Sequence, residues 1–115
     1  MPGGIDERRV KRVHIRREID TRIISRAMLR DYWSKHPDAE GRLRNWEDKT
    51  KRAHWRRAQD VVDDYPKASP IGEDRIYFRL GPLRLVVAIA YDKGTVYTRW
   101  VGNKKEVKKI DTLTV

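Results

Sequence analysis

Three short apolar runs follow one another near the C-terminal end of the chain, at residues 75–80, 83–91 and 95–101. The runs are rich in β-branched and aromatic side chains, which favour strands. Two glycine-containing turns separate them, Gly81-Pro82 and Asp92-Lys93-Gly94. Because such short connections join antiparallel neighbours, the pattern predicts a meander of three antiparallel strands.

Upstream of the meander, apolar residues recur at the three- and four-residue spacing of helices. The apolar stripes occupy residues 28–36, 39–53 and 58–65, and Pro37 and Pro66 follow the first and the third. Proline stops a helix that reaches it, so three separate helices are predicted.

Short signals complete the predicted order of elements. Arg22-Ile23-Ile24 is a short strand, Ser25 is the N-cap of the first helix, and residues 67–74, with a proline and a glycine, form a loop. The order β-α-α-α-β-β-β predicts an α+β fold in which the helices cover one face of a small sheet.

The register of the predicted meander follows from its turns. A two-residue connection at Gly81-Pro82 places Arg79 opposite Arg84. For the next hairpin, pairing Asp92 with Thr95 places Arg99 beside Ala88, whereas a slip of one residue would move Arg99 to the apolar side. Burying an unpaired guanidinium group is costly, so the first register is preferred.

This register predicts a sheet with one apolar face and one basic face. The apolar face, which the helices cover, includes Phe78, Val87 and Trp100. The opposite face carries four arginines and two tyrosines, over a shallow groove floored by Val86, Ala88 and Ala90. The six larger residues are Arg75, Arg79, Arg84, Arg99, Tyr77 and Tyr97.

Charge gives the basic face a candidate role. The chain has 115 residues, enough for one domain, and its formal net charge is +10. Guanidinium groups bind phosphate through paired hydrogen bonds, so the face predicts a nucleic-acid partner. A lysine-rich segment at residues 104–109 adds to it. An ordinary solvated sheet face is the alternative.

Residues 1–20 differ in composition from the rest of the chain. Between Arg8 and Arg17 there are seven basic residues, His14 included. This segment is either a solvated extension or a basic arm that clamps nucleic acid. The predicted domains are therefore a basic N-terminal extension, 1–20, and a folded domain, 21–115.

Several classes of site and location are not predicted. The three histidines do not have metal-ligand spacing, so no metal and no cofactor are expected. The four tryptophans are expected mainly in the core. Cysteine is absent, which fits a reducing cytoplasm. No apolar run approaches the roughly 18 residues of a transmembrane helix, so no membrane association is expected.

An ordered set of segments resembles a known family. The segments are ISRAMLRDYW at 24–33, HPDAE at 36–40, YP at 65–66, RLVV at 84–87, VYTRWVG at 96–102 and KID at 109–111. Together they resemble the HigB toxins of the RelE-like toxin–antitoxin superfamily, over residues 21–115. The resemblance implies helices packed on an antiparallel sheet and an endonuclease that cleaves mRNA on the translating ribosome. It also implies a HigA-like antitoxin with a helix-turn-helix domain, through which alone operator DNA would be bound.

The resemblance also indicates site residues. Arg84 and Arg99 match the arginines of the family's strands, but the family's histidine is replaced by Lys104 and its tyrosine by Val107. For 2′-hydroxyl attack on RNA, Arg84 and Arg99 would stabilise the phosphorane, Lys104 would stabilise charge or donate a proton, and Glu106 would be the base. The predicted RNA contacts are Arg75, Arg79, Tyr97, Lys105, Lys108 and Lys109. The alternatives are a homologue with weak or no activity, and a basic nucleic-acid-binding module without nuclease activity.

Overall fold

The computed structural model describes residues 20–115, which form three α-helices and five strands. The predicted basic extension, apart from residue 20, lies outside the described residues. The helices are α1 (Arg26–Lys35), α2 (Glu40–Arg52) and α3 (Ala58–Asp64). The strands are β1 (Arg22–Ile24), β2 (Ser69–Ile71), β3 (Arg75–Leu80), β4 (Leu83–Ala90) and β5 (Thr95–Asn103).

The five strands form one mixed sheet in the order β1-β5-β4-β3-β2. β1 runs parallel to β5, and the other neighbours are antiparallel. The predicted α+β fold with a mainly antiparallel sheet is therefore confirmed. The most hydrophobic strand, β4, lies at the centre of the sheet, with paired strands on both of its edges.

Strand β2 was not predicted, since residues 67–74 were expected to be a loop. Ser69–Ile71 instead pairs with β3 at the edge of the sheet, with Pro70 opposite Ile76. A proline has no N–H to donate, but an edge strand tolerates it. Because the segment is polar and contains Pro70 and Gly72, its sequence did not predict this short edge strand.

The core lies between the helices and one face of the sheet. Phe78 of β3 is fully buried and packs edge-on against Trp46 and Tyr65, with ring-centroid distances of 5.6 and 5.0 Å, and beside Trp55 at 6.3 Å. Burial of this kind contributes about 1.5–3 kcal/mol for a phenylalanine side chain. Burial also raises the pKa of Tyr65 to about 12. The expectation that tryptophans belong mainly to the core is confirmed for Trp46 and Trp55.

The β1–α1 junction is held by the main chain rather than by a serine side chain. Ser25 occupies the N-cap position with a left-handed φ of 69°, but its side chain makes no capping hydrogen bond. Its carbonyl instead accepts hydrogen bonds from the Met28 N–H, at 3.2 Å, and from the Thr98 hydroxyl, at 2.6 Å. The start of α1 is thereby fixed to β5.

The β3–β4 hairpin has the predicted register, with Leu80 opposite Leu83 and Arg79 opposite Arg84. Gly81 has φ +64°, a left-handed conformation that glycine adopts readily. We expect Gly81→Ala to lower the free energy of unfolding by about 1–2 kcal/mol, the cost of that conformation for a residue with a Cβ. Chemical denaturation measures it.

The matched control for this substitution is Gly41→Ala. A Cβ at Gly41 would meet no atom within 4 Å, and helices favour alanine over glycine. Stability should therefore stay the same or rise. An equal loss in both variants would contradict the assignment of strain to the turn.

The β4–β5 hairpin departs from its predicted register. Thr95 pairs with Ala90, whereas the sequence predicted that Thr95 would pair with Asp92. Further along, the ladder shifts by one residue at a β-bulge, where Thr98 pairs with Val87 and Trp100 pairs with Val86. Arg99 is the extra residue of the bulge, so the prediction that it lies beside Ala88 is wrong.

The bulge changes the face on which Trp100 lies. Because Trp100 is opposite Val86, it lies on the basic side of the sheet, and the prediction that it joins Phe78 and Val87 on the apolar face is wrong. Gly102 lies on the same side, opposite Arg84, and the Trp100 ring lies directly over it. A Cβ on Gly102 would be only 2.3 Å from that ring. A bulge of one residue reverses the alternation of side chains beyond it.

Candidate functional site

The four predicted arginines do share one side of the sheet, which we call the arginine face. Arg79 lies opposite Arg84, and Arg75 lies in a row with Ala88 and Tyr97 across β3, β4 and β5. The guanidinium groups of Arg99 and Arg75 both donate a hydrogen bond to the main-chain oxygen of Val115. The prediction of a shared face is confirmed, while the roles of these residues remain predictions.

Arg79 and Arg84 lie near the β3–β4 turn and bind main-chain oxygens there. Nη1 of Arg84 donates to the carbonyls of Gly81, at 2.7 Å, and Leu83, at 2.8 Å. Nη1 of Arg79 donates to the Lys67 carbonyl at 2.9 Å, and its guanidinium lies 4.8 Å from the ring centroid of Tyr77. Both side chains therefore also order the local backbone.

Arg75 and Arg99 converge on a single oxygen atom. The main-chain oxygen of Val115 accepts hydrogen bonds from Nη1 of Arg75, at 2.7 Å, and from Nε of Arg99, at 3.2 Å. Arg75 also reaches the carbonyl of Thr112, at 3.5 Å. Residues 111–115 thus lie across the arginine face, and two guanidinium groups are preorganised around one oxygen position.

This C-terminal segment corrects the expectation of an open groove. Val86, one of the three predicted floor residues, is fully buried although it lies on the arginine face. Ala88 and Ala90 are only half-buried. The face is therefore partly covered by the protein's own chain, which the period of the strands could not reveal.

The positive charge of the arginine face is not neutralised by nearby carboxylates. Among residues 20–115, no Asp or Glu side chain lies within 4 Å of the guanidinium nitrogens of Arg75, Arg79, Arg84 or Arg99. The oxygens that they bind belong to the main chain and, for Arg79, also to the Ser69 hydroxyl. An anion can compete with these oxygens for the guanidinium groups.

The end of β5 is fixed by a reciprocal capping arrangement. Oδ1 of Asn103 accepts hydrogen bonds from the N–H groups of Lys105 and Glu106, at 2.9 and 2.8 Å. Oε1 of Glu106 accepts in return from the N–H of Asn103, at 2.7 Å. This reciprocal arrangement, similar to a capping box, closes the turn that leads into the short 3₁₀ helix Glu106–Lys109. Glu106 therefore has a structural role as well as its predicted chemical one.

The capped turn sets the direction of the predicted lysines. Lys104 and Lys105 are exposed at its tip, and Lys108 and Lys109 are exposed on the 3₁₀ helix. Gly102, two residues before Lys104, lies opposite Arg84. The structure thus brings Arg84, Lys104 and Glu106 to one end of the β4–β5 ladder, with Arg99 farther along β5 at the bulge.

Tyr32 of α1 is a further member of this site that the sequence did not indicate. Its hydroxyl lies 3.5 Å from Oε1 of Glu106, and its ring stacks on His36 with centroids 4.3 Å apart. Burial, and next the charge of Glu106, raise the pKa of Tyr32. Its helical spacing predicted only a core position, and nothing in the sequence relates Tyr32 to a carboxylate 74 residues away.

Tyr32 and Arg99 line the same cleft between α1 and β5. β1 pairs only with the first three residues of β5, and α1 packs beside the strand beyond them. The cleft has a volume of about 280 Å³. It is lined by Met28, Asp31, Tyr32, Lys35, Arg99, Trp100 and Val101. A phenol and a guanidinium therefore face one solvent-accessible space.

Residues 20–115 contain neither a metal-binding cluster nor a membrane-spanning helix. That part of the chain holds no group of three or more His, Asp or Glu side chains that could bind a metal ion. It also has no helix that is long and apolar enough to cross a membrane.

Residues 39–110 match the protein family described as HigB_toxin, the RelE-like toxic component of a toxin–antitoxin system. The chain belongs to the HigB toxin family. No curated protein matches it. Membership of a toxin–antitoxin system implies a cognate antitoxin as partner of this HigB toxin.

The matched segment includes every residue that the sequence indicated for the site, from Arg75 to Lys109. It does not include α1 with Tyr32, or the residues beyond 110 that cross the arginine face. The HigB family match therefore covers β2 to β5 and the capped turn. The phenol and the covering segment are observations on this chain alone.

Proposed function

We propose that this HigB toxin is an endoribonuclease that cleaves mRNA on the ribosome by attack of the ribose 2′-hydroxyl. The observation that carries the proposal is the convergence of Arg75 and Arg99 on one oxygen atom. A phosphoryl oxygen in that position would receive charge-assisted hydrogen bonds from both groups. Arg75 would thereby hold the phosphate group, and Arg99 would stabilise the extra negative charge of the phosphorane.

We propose the remaining roles from the chemistry of the side chains. Arg84 and Arg99 stabilise the phosphorane, and Lys104 stabilises charge or donates a proton. Glu106 accepts the 2′-hydroxyl proton. The messenger RNA is held by Arg75, Arg79, Tyr97, Lys105, Lys108 and Lys109. Arginine and lysine supply all of the positive charge in this scheme, so metal-independent cleavage is proposed.

RNA binding would require residues 111–115 to leave the arginine face. A phosphate oxygen would take the place of the Val115 oxygen and accept charge-assisted hydrogen bonds from both guanidinium groups. Orientation of the message by the ribosome would supply the positioning that a small site cannot provide alone.

Mapping mRNA 5′ ends after induced expression tests this proposal. Cuts phased with codons, absent when the cognate antitoxin is co-expressed, are the expected result. On purified ribosomes, the upstream fragment should end in a 2′,3′-cyclic or 3′ phosphate. A message with one 2′-deoxy nucleotide at the scissile position should resist cleavage there. Cleavage of that deoxy position would contradict 2′-hydroxyl attack.

A second candidate function is a toxin homologue that binds RNA or antitoxin without cutting. It is favoured by Lys104 and Val107 in place of the family's histidine and tyrosine, and by the use of Glu106 as a cap. Binding to ribosomes without new 5′ ends would support it. The third candidate is a nucleic-acid-binding module without nuclease activity, in which residues 8–17 make the main contacts. Those residues lie outside the described part of the chain.

We also propose a HigA-like antitoxin, with a helix-turn-helix domain through which operator DNA is bound, as the partner of this chain. Because the chain carries a formal charge of +10, the antitoxin should present acidic residues to it. Association should slow as salt rises toward about 1 M, where the screening length is about 3 Å. Stopped-flow mixing measures the rate, and dissociation should change less. An association rate that salt leaves unchanged would count against steering by charge.

A further inference from the structure

The strand-end motif of this chain lacks the tyrosine of the resembled family, but the fold brings another phenol to Glu106, the residue before that position. Tyr32 reaches Glu106 from α1, at 3.5 Å between the hydroxyl and Oε1. Val107, at the position of the family's tyrosine, has no group that could transfer a proton. Tyr32 also lines the cleft that contains Arg99.

We propose that Tyr32 is the general acid of the cleavage reaction, donating its proton to the departing 5′-oxygen of the RNA. This inference rests on the proposed endoribonuclease function. Phosphate bound by Arg99 at the mouth of the cleft would bring the scissile bond toward the phenol. Tyr32 would thereby serve in place of the residue lost at position 107.

The proton transfers balance within this pair of residues. The 2′-oxygen forms a bond to phosphorus while its proton passes to the Glu106 carboxylate. The bond from phosphorus to the 5′-oxygen breaks, and that oxygen takes the proton of Tyr32. The Glu106 carboxyl then returns its proton to the Tyr32 phenolate along their hydrogen bond, which restores both groups.

The environment of Tyr32 suits an acid that must be protonated before it acts. Burial is the main cause that raises its pKa, and the neighbouring Glu106 charge adds to it. The phenol therefore stays protonated at neutral pH, and it gives up the proton only when a stronger base, the leaving alkoxide, develops beside it. Positioning of the phenol comes from its ring, which stacks on His36.

Tyr32→Phe is the test, because phenylalanine keeps the stacked ring and removes only the hydroxyl. Cleavage of a ribosome-bound message should fall by about 10²–10⁴-fold, the usual contribution of a general acid. The matched control is Tyr91→Phe. Tyr91 is also half-buried with a raised pKa, caused first by burial, but it lies in the β4–β5 hairpin beside a different cavity. That variant should cut at the parent rate.

A second substrate separates acid catalysis from a structural role. In a message with sulfur in place of the scissile 5′-oxygen, the leaving group departs without protonation. Tyr32→Phe should therefore cut this message at close to the parent rate. Thermal unfolding of each variant confirms that the fold is retained.

Each outcome decides between the two proposals. If the parent cuts neither message, the endoribonuclease function is wrong. If the parent cuts both and Tyr32→Phe cuts the natural message equally well, the function stands and the acid assignment is wrong. If Tyr32→Phe is slow on both messages, Tyr32 positions other groups and is not the acid.

Discussion

Replacing Arg99 with alanine is expected to slow cleavage of ribosome-bound mRNA by about 10²–10³-fold, which corresponds to about 2.7–4 kcal/mol of lost transition-state stabilisation. Arg99 Nε and Arg75 Nη1 already bind one oxygen from two directions, so removal of either leaves a charged oxygen half-satisfied. Arg99 is exposed, and its side chain supports no other part of the core. Single-turnover cleavage measures the effect separately from binding.

The matched control is Arg52→Ala, which also removes one positive charge but from the exposed end of α2. It should cut at nearly the parent rate. Arg99→Lys should recover only part of the activity, because an ammonium group cannot reproduce the planar guanidinium contact. Parent-like cleavage by Arg99→Ala would exclude the arginine pair from the transition state.

Arg84→Ala is also expected to slow cleavage by orders of magnitude, but its interpretation needs a stability measurement. Nη1 of Arg84 supports the hairpin through the carbonyls of Gly81 and Leu83. A loss of activity without a loss of stability would assign Arg84 to the reaction. An equal loss of both would assign it to the turn.

Substitution of Lys104 is expected to give the second large effect. If Lys104 has taken the place of the family's histidine, Lys104→Ala should lower cleavage by about 10²–10⁴-fold, while Lys104→His should preserve or raise it. Lys104 is exposed at the tip of the capped turn, and neither change should disturb the hydrogen bonds of Asn103 and Glu106. The same single-turnover assay measures both variants.

Lys51→Ala is the charge-matched control for this pair, since Lys51 is exposed on α2, away from the arginine face. It should cut as the parent does. If Lys104→His cleaves the message and the parent does not, this chain is a disabled toxin. The family assignment would then be correct and the proposed endoribonuclease activity wrong.

Local periodicity was sufficient to predict most of the fold. The helical stripes ended at the prolines because proline cannot continue a helix, and the glycine turn fixed the register of β3 and β4. The central place of β4 followed from its continuous apolar run. These features depend on residues close in sequence, which is why the sequence alone determined them.

The errors arose where contacts between distant segments override local pattern. Strand β2 exists because β3 offers it an edge, although Pro70 argues against a strand. The bulge at Arg99 moved Trp100 to the arginine face, and the short run of β5 beyond it does not show the change of phase clearly enough to predict the bulge.

The candidate site divides in the same way. The sequence by itself determined the family, through an ordered set of segments that resemble it. Strand alternation determined which arginines share one face. Only the tertiary structure decided that Val115 lies between Arg75 and Arg99, and that Tyr32 meets Glu106. The physical reason is that these contacts join segments 16 to 74 residues apart, where packing rather than periodicity sets the distance.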